Sequence, residues 1–291
     1  MKPLIGGENG ITDLRGKILR TIPKVESINL ERNAIRFIHP QAFSGAKQLM
    51  LLNLYGNYIT NLPSRGFKDL LNLRFLMLGQ NQISILKADM FLGMRNLSEL
   101  DLPLNALTIL PSNTFKPLIA LKVLDLSMNR IQRISPKAFA GLRQLLFLNL
   151  DNNRNNELEH LPPDVFSNMA GLSQLALSGN LLKVVDGSMF AHMPGKMSPP
   201  PSLFNLPVVP FLSKDGADCV YSTGIYPSEL KKLNLHNNPW HCDCHIVSLV
   251  QWVQRAKTTL SPRETLKCSG PAGLQGKRFS RLQPHQLLCP V

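Results

Sequence analysis

The stretch Leu73-Arg-Phe-Leu76-Met-Leu78-Gly-Gln-Asn81 returns as Leu121-Lys-Val-Leu124-Asp-Leu126-Ser-Met-Asn129, and both follow the frame L-x-x-L-x-L-x-x-N. The Asn recurs at Asn33, Asn57, Asn81, Asn105, Asn129 and Asn153, each 24 residues after the last. Ten residues after each of the first five stands a phenylalanine: Phe43, Phe67, Phe91, Phe115 and Phe139. Asn153 to Phe166 and Asn180 to Phe190 continue the pattern, the first with three extra residues around Asn155-Asn-Glu-Leu-Glu159. A fixed period of this length marks a solenoid.

The spacing has a physical reading. The alternating x-Leu-x-Leu segment is a short strand with one face buried and the other turned outward. The sharp turn after it would strand backbone N–H and C=O groups, and an inward Asn amide can donate and accept at once. A Phe column fills the opposite wall. No coil can bury its own Leu face, so coils must stack, and eight strands at ~4.8 Å predict a curved parallel sheet roughly 35–40 Å long. The fold class is α/β: a solenoid of 24-residue coils. Amphipathic helices would need a 3.6-residue period that these segments lack.

The array ends in Leu233-Asn-Leu-His-Asn-Asn238-Pro239-Trp240-His-Cys242-Asp-Cys244. A helical pattern with Ile246, Leu249, Val250, Trp252 and Val253 follows, then Cys268-Ser-Gly-Pro271 and Cys289. The N-P-W-x-C-D-C run, the helix Trp and C-x-G-P resemble the cysteine-flanked C-terminal cap of extracellular leucine-rich-repeat proteins. The resemblance is strongest to the branch holding leucine-rich alpha-2-glycoprotein, platelet glycoprotein V and the carboxypeptidase N regulatory subunit. It implies Cys242–Cys268 and Cys244–Cys289 disulfides, a pairing that spacing alone leaves open. A zinc cluster at His241-Cys242-Asp-Cys244-His245 is the disfavoured alternative, because C-x-C is tight for zinc. Disulfides would staple a cap over the raw end of the core and imply an oxidising compartment, extracellular or at the cell surface.

Two departures stand out. Residues 1–24 read as the tail of an N-terminal cap, Ile11-Thr-Asp-Leu14-Arg-Gly16 onward, with neither signal peptide nor cysteine cluster, so a truncated start is expected. Residues 25–194 are the repeats. Asn180 and Asn238 then lie 58 apart, one 24-residue step plus 34. Removing Gly195 through Ser228 restores perfect phase, so 195–229 reads as an out-of-register insertion carrying the odd cysteine, Cys219. A retained intron read in frame is the favoured explanation, since the codons for Gly195-Lys196 and Ser228-Glu229 can hold the usual intron ends. A functional long loop is the rival. Residues 230–238 resume the last strand, and 239–291 are the cap.

With 32 Lys+Arg against 19 Asp+Glu, the 291-residue chain carries +13. Yet the outward strand positions hold Glu31, Glu99, Asp101, Asp125 and Asp151 against Lys232. The outer face of the strands is therefore mildly acidic, and the positive charge belongs to the convex side, flanks and cap. Leu51, Tyr55, Phe75, Met77, Val123 and Phe147 are unusual for a sheet facing solvent. Apolar anchors beside carboxylates suit a protein partner. The candidate ligand-binding residues are therefore Leu51, Tyr55, Phe75, Met77, Glu99, Asp101, Val123, Asp125, Phe147 and Asp151.

The basic cap, with Lys277, Arg278 and Arg281, adds a weak glycosaminoglycan contact as a further expectation; no nucleic-acid motif and no membrane-spanning stretch accompany it. No G-x-S-x-G, H-E-x-x-H or P-loop is present, so the chain reads as a binding module and not an enzyme, with no cofactor or metal. Asn96-Leu-Ser98 is the one glycosylation sequon.

Overall fold

A computed structural model describes residues 3–153, 158–169, 171–186, 189, 230–255, 259–260 and 266–289. The insertion at 195–229, Cys219 and Phe190 lie outside the described residues. Strands β1 (Pro3–Ile5), β3 (Ser27–Asn29), β5 (Leu51–Asn53), β6 (Phe75–Met77) and β7 (Glu99–Asp101) open one parallel sheet. Strands β9 (Val123–Asp125), β11 (Phe147–Asn149), β12 (Gln174–Ala176), β13 (Lys232–Asn234) and β14 (Thr259–Leu260) complete it, ten in all. Two short parallel ladders, β2 (Asp13–Leu14) with β4 (Phe37–Ile38) and β8 (Ile109–Leu110) with β10 (Arg133–Ile134), mark the far side of the coils. From β3 to β11 the central apolar residue of each strand pairs with its counterpart 24 residues on, as Leu52 with Leu76 and Leu100 with Leu124, and all four are fully buried.

The Asn ladder holds this register. Asn57 Nδ2 donates to Leu54 O within its coil and to Leu30 O in the coil before, both at 3.0 Å. Its Oδ1 accepts from Ile35 N, also of the coil before, at 3.0 Å. Asn81 and Asn105 repeat all three bonds. One buried amide thus serves two coils, answering the turn's backbone groups. The residue before the ladder Asn is forced into the left-handed region: Arg32, Gln80, Leu104, Met128, Asn152 and Asn237 have φ between 50° and 56°. For branched or long side chains this costs about 1 kcal/mol each, tolerated because the ladder over-determines the turn.

Phe43, Phe67, Phe91, Phe115, Phe139 and Phe166 are buried to 0–1 % exposure along the opposite wall. Their ring spacings of 5.5–6.3 Å exceed the ~4.8 Å between strands. A wall built of larger spacers curves the stack toward the strands, which makes the sheet its concave face.

The sequence gap between Asn180 and Asn238 closes in space. Strand β12 pairs directly with β13, Leu175 beside Leu233. Asn238 donates to Leu177 O at 2.9 Å and accepts from Leu182 N at 3.2 Å, the same bonds that join coils 24 apart. The cap then seals the end. Trp240 and Trp252 are 1 % exposed, and Gln254 on the helix Val247–Arg255 donates to Phe279 O and Leu282 O at 2.9 and 2.8 Å. Disulfides join Cys242 to Cys268 and Cys244 to Cys289.

The expected strand count is corrected: the sheet has ten strands rather than eight, because the cap lends β14 and because β1, in the segment read as the tail of an N-terminal cap, adds a strand before β3. Strand β1 pairs with β3, Asn9 N donates to Asn33 Oδ1 at 3.0 Å, and Leu14 and Leu19 are buried. This strand escaped the frame because Gly6 occupies a Leu position; a Leu30 methyl fills the space, 3.0 Å from where a Cβ would sit.

Asn81→Ala strands carbonyls and an N–H of two coils and should lower stability by roughly 2–3 kcal/mol, whereas Met128→Gly relieves the left-handed turn and should raise it by about 0.5–1 kcal/mol. Urea unfolding of both variants checks the opposite signs.

Candidate functional site

Each strand sends three residues to the concave face, so the coils lay down three columns. The first holds Leu51, Phe75, Glu99, Val123 and Phe147; the middle Asn53, Met77, Asp101, Asp125 and Asn149; the third Tyr55, Gly79, Pro103, Ser127 and Asp151. The ten candidate residues are all present on this one face, but they are half-buried rather than exposed as expected. Neighbours only ~4.8 Å apart on a concave surface cover each other's flanks. The apolar patch is therefore preformed.

The middle column is locked by a local bond that recurs along the array. The side-chain oxygen accepts the N–H two residues on: Asn29 from Glu31, Asn53 from Tyr55, Asp125 from Ser127, Asn149 from Asp151, at 2.8–3.1 Å. Amides also bridge strands, Asn53 to Glu31 at 2.8 Å and Asn149 to Asp125 at 3.1 Å. Asp151, in the third column, accepts from Ser178 N at 2.6 Å and Asn234 Nδ2 at 3.1 Å.

Asp101 is the exception. Its residue two on is Pro103, which has no N–H to give, and its strand neighbours are Met77 and Asp125. Among the described residues nothing donates to its carboxylate. Burial, then Glu99, then Asp125 push its carboxyl up to about 6. The Asp151 carboxyl is also raised by burial, an effect opposed by its bonds to Ser178 and Asn234 and by His236.

Pro103 acts a second time. A Cβ on Gly79 would lie 3.0 Å from Tyr55 Cδ2 and 3.1 Å from Pro103 Cγ. Tyr55 and Pro103 therefore close over Gly79 from both sides, forming an apolar shelf next to Asp101. Sequence reasoning picked Tyr55 and Asp101 but missed Gly79 and Pro103; the signal was the Pro two residues after a middle-column acid.

Asn96 is exposed in a turn, its amide donating to Leu71 O at 2.8 Å. Among the described residues the one set of metal-type donors is Cys244, His245 and Cys289, and its two sulfurs are joined to each other. A disulfide sulfur has no thiolate to offer a metal.

The Leucine rich repeat family model matches residues 7–58, 47–107, 95–154 and 154–195, most of the chain, and the chain belongs to that family. It is similar to human carboxypeptidase N subunit 2, 45 % identical over 62 residues, which is 21 % of this chain and 11 % of that protein. The mouse chondroadherin-like protein is 38 % identical over 64 residues, 22 % of this chain and 8 % of its own length. The aligned parts are thus about a tenth of these relatives. Among solved structures, human 5T4 (trophoblast glycoprotein) superposes with a TM-score of 0.67 at 22 % identity over 99 % of this chain and 94 % of its own. The chain matched in the octameric complex of latrophilin 3, Unc5D and FLRT2 gives 0.65 at 22 % identity, over 99 % and 83 %. These likenesses show the fold.

Asp101 carries a folded-state value near 6 against 3.8 unfolded, so its ionisation destabilises the fold as pH rises through that window. Asp101→Asn removes the charge and can donate to Asp125 as Asn149 does. Relative to the variant, the parent should lose about 1 kcal/mol between pH 4 and 7, after discounting for solvent. Thermal unfolding of both across that range checks it.

Proposed function

We propose that this leucine-rich-repeat chain is a non-enzymatic extracellular binding module whose concave face, from Leu51 on β5 to Asp151 just past β11, takes up another protein. The observation that carries this reading is the pairing of a preformed apolar shelf, Tyr55 over Gly79 beside Pro103, with the Asp101 carboxylate, to which no described residue donates. An apolar patch flanked by a partly desolvated charge supplies area and direction together. The partner would lay aliphatic or aromatic atoms over Tyr55, Phe75 and Met77 and bring a cationic side chain to Asp101, with Asp125 and Glu99 beside it. Leu51, Val123 and Phe147 extend the contact, and Asp151 borders it.

Two further findings support the reading. The two disulfides suit an oxidising compartment, outside the cell or at its surface. A neighbour with the same fold occurs in a complex with other proteins.

Capture of partners on the immobilised chain, followed by titration of each against variants, tests the reading. Tyr55→Ala with Phe75→Ala should weaken binding at least tenfold with the fold intact. Asp101→Asn should weaken it while stabilising the unbound chain, and affinity for the parent should fall as pH drops from 7 to 5. Unchanged affinity in both variants would move the contact to a flank or the cap.

A further inference from the structure

The positive charge has its own order. Between the Phe wall and the next strand, five successive coils read Phe43-Ser-Gly-Ala-Lys47, Phe67-Lys-Asp-Leu-Leu71, Phe91-Leu-Gly-Met-Arg95, Phe115-Lys-Pro-Leu-Ile119 and Phe139-Ala-Gly-Leu-Arg143. Two coil types alternate. One carries a single cation after a glycine: Lys47, Arg95 and Arg143, 48 residues apart. The other carries a lysine after the Phe and a second cation six residues on: Lys68 with Arg74, and Lys116 with Lys122. The 24-residue fold thus bears a 48-residue charge pattern, which packing alone does not require.

These cations share one flank, all are exposed, and none makes an ion pair among the described residues. Asp69 is an acid among them, and its carboxylate accepts Gly45 N of the coil before at 2.9 Å, at the surface. The lysine backbones are clamped. A Cβ at Gly93 (φ 95°) would lie 2.2 Å from Lys68 O, and one at Gly141 (φ 94°) 3.0 Å from Lys116 O. Only glycine lets the next coil close on each lysine. Between Arg95 and Lys116 the surface sinks into a depression of about 420 Å³, floored by Leu92, Pro117 and Ile119. From Lys47 to Arg143 the row crosses four coil steps, roughly 20–24 Å from the strand and Phe-ring spacings.

We infer that this flank, and not the basic cap, is a binding site for a sulfated linear polysaccharide lying across the coils. A row of cations that pair with no described residue, on a rigid curved edge, suits a chain of repeated anions, and such binding gains by counterion release. Nucleic acid fits less well, since no aromatic ring stands in the row to stack a base. The disulfide-stapled cap suits an oxidising, extracellular setting, where sulfated polysaccharide is met. The cations Lys68, Arg95 and Lys116 lie off the concave face, which the row meets only at Arg74 and Lys122, next to Phe75 and Val123.

The test uses the full chain and heparin fragments in calorimetry at several salt concentrations. Lys68→Gln with Arg95→Gln and Lys116→Gln should weaken binding at least tenfold at physiological salt. The log–log salt slope should become shallower by about one for each cation replaced. Lys277→Gln with Arg278→Gln and Arg281→Gln should change affinity less than threefold. Unaltered unfolding curves confirm that both variants fold. The inference is overturned if the cap variant binds more weakly than the flank variant, or if neither differs from the parent. It also fails if duplex DNA or anionic phospholipid vesicles bind as tightly as heparin and respond to the same substitutions.

Discussion

Everything in this molecule rests on one interaction, the buried Asn amide that bonds its own coil and the coil before it. Leucines alone would stack coils at any offset that buried them. The Asn bonds admit a single offset, because a carboxamide satisfies both coils only when each Leu lies beside its counterpart. They also dictate a left-handed residue just before each Asn, which the chain accepts even at Leu104 and Met128. Parallel strands follow from that offset, and curvature follows from placing phenylalanines opposite them.

A fixed register turns side chains into columns, and columns let neighbours act on each other. Placing one proline in the third column has two consequences on the concave face. It withdraws the N–H that would have quieted Asp101, and it closes over Gly79 from the side opposite Tyr55. On the flank, the same stacking converts isolated lysines and arginines into a row. Acidic and basic residues end up on different faces of one rod, so a chain of net charge +13 can present carboxylates to one partner and cations to another.

Much of this could be read from the residues. The Leu and Asn spacing predicts the stacked parallel sheet, the Phe column and the resumption of phase at Asn238, and the N-P-W-x-C-D-C run points to the cap and its two disulfides. Other features were invisible for physical reasons. Strand β1 was hidden because Gly6 replaces a Leu, and β14 because cap residues 259–260 carry no frame. The half-burial of Leu51, Phe75 and Val123 depends on packing between residues 24 apart that no local pattern reports. Asp101 looked like every other middle-column residue until the hydrogen bonds of its neighbours showed what Pro103 takes away.

The Asn ladder and Leu frame set the register, whatever chain connects two coils. Deleting residues 195–228 tests this most directly, since it leaves Asn180 and Asn238 one 24-residue step apart. Thermal unfolding with thiol titration should show a single cooperative transition, at or slightly above the temperature of the full chain, with Cys242–Cys268 and Cys244–Cys289 intact. The shorter connection alone favours folding by just under about 1 kcal/mol. A shortened chain that melts without cooperativity, or leaves cap thiols reactive, would contradict the role given to the ladder.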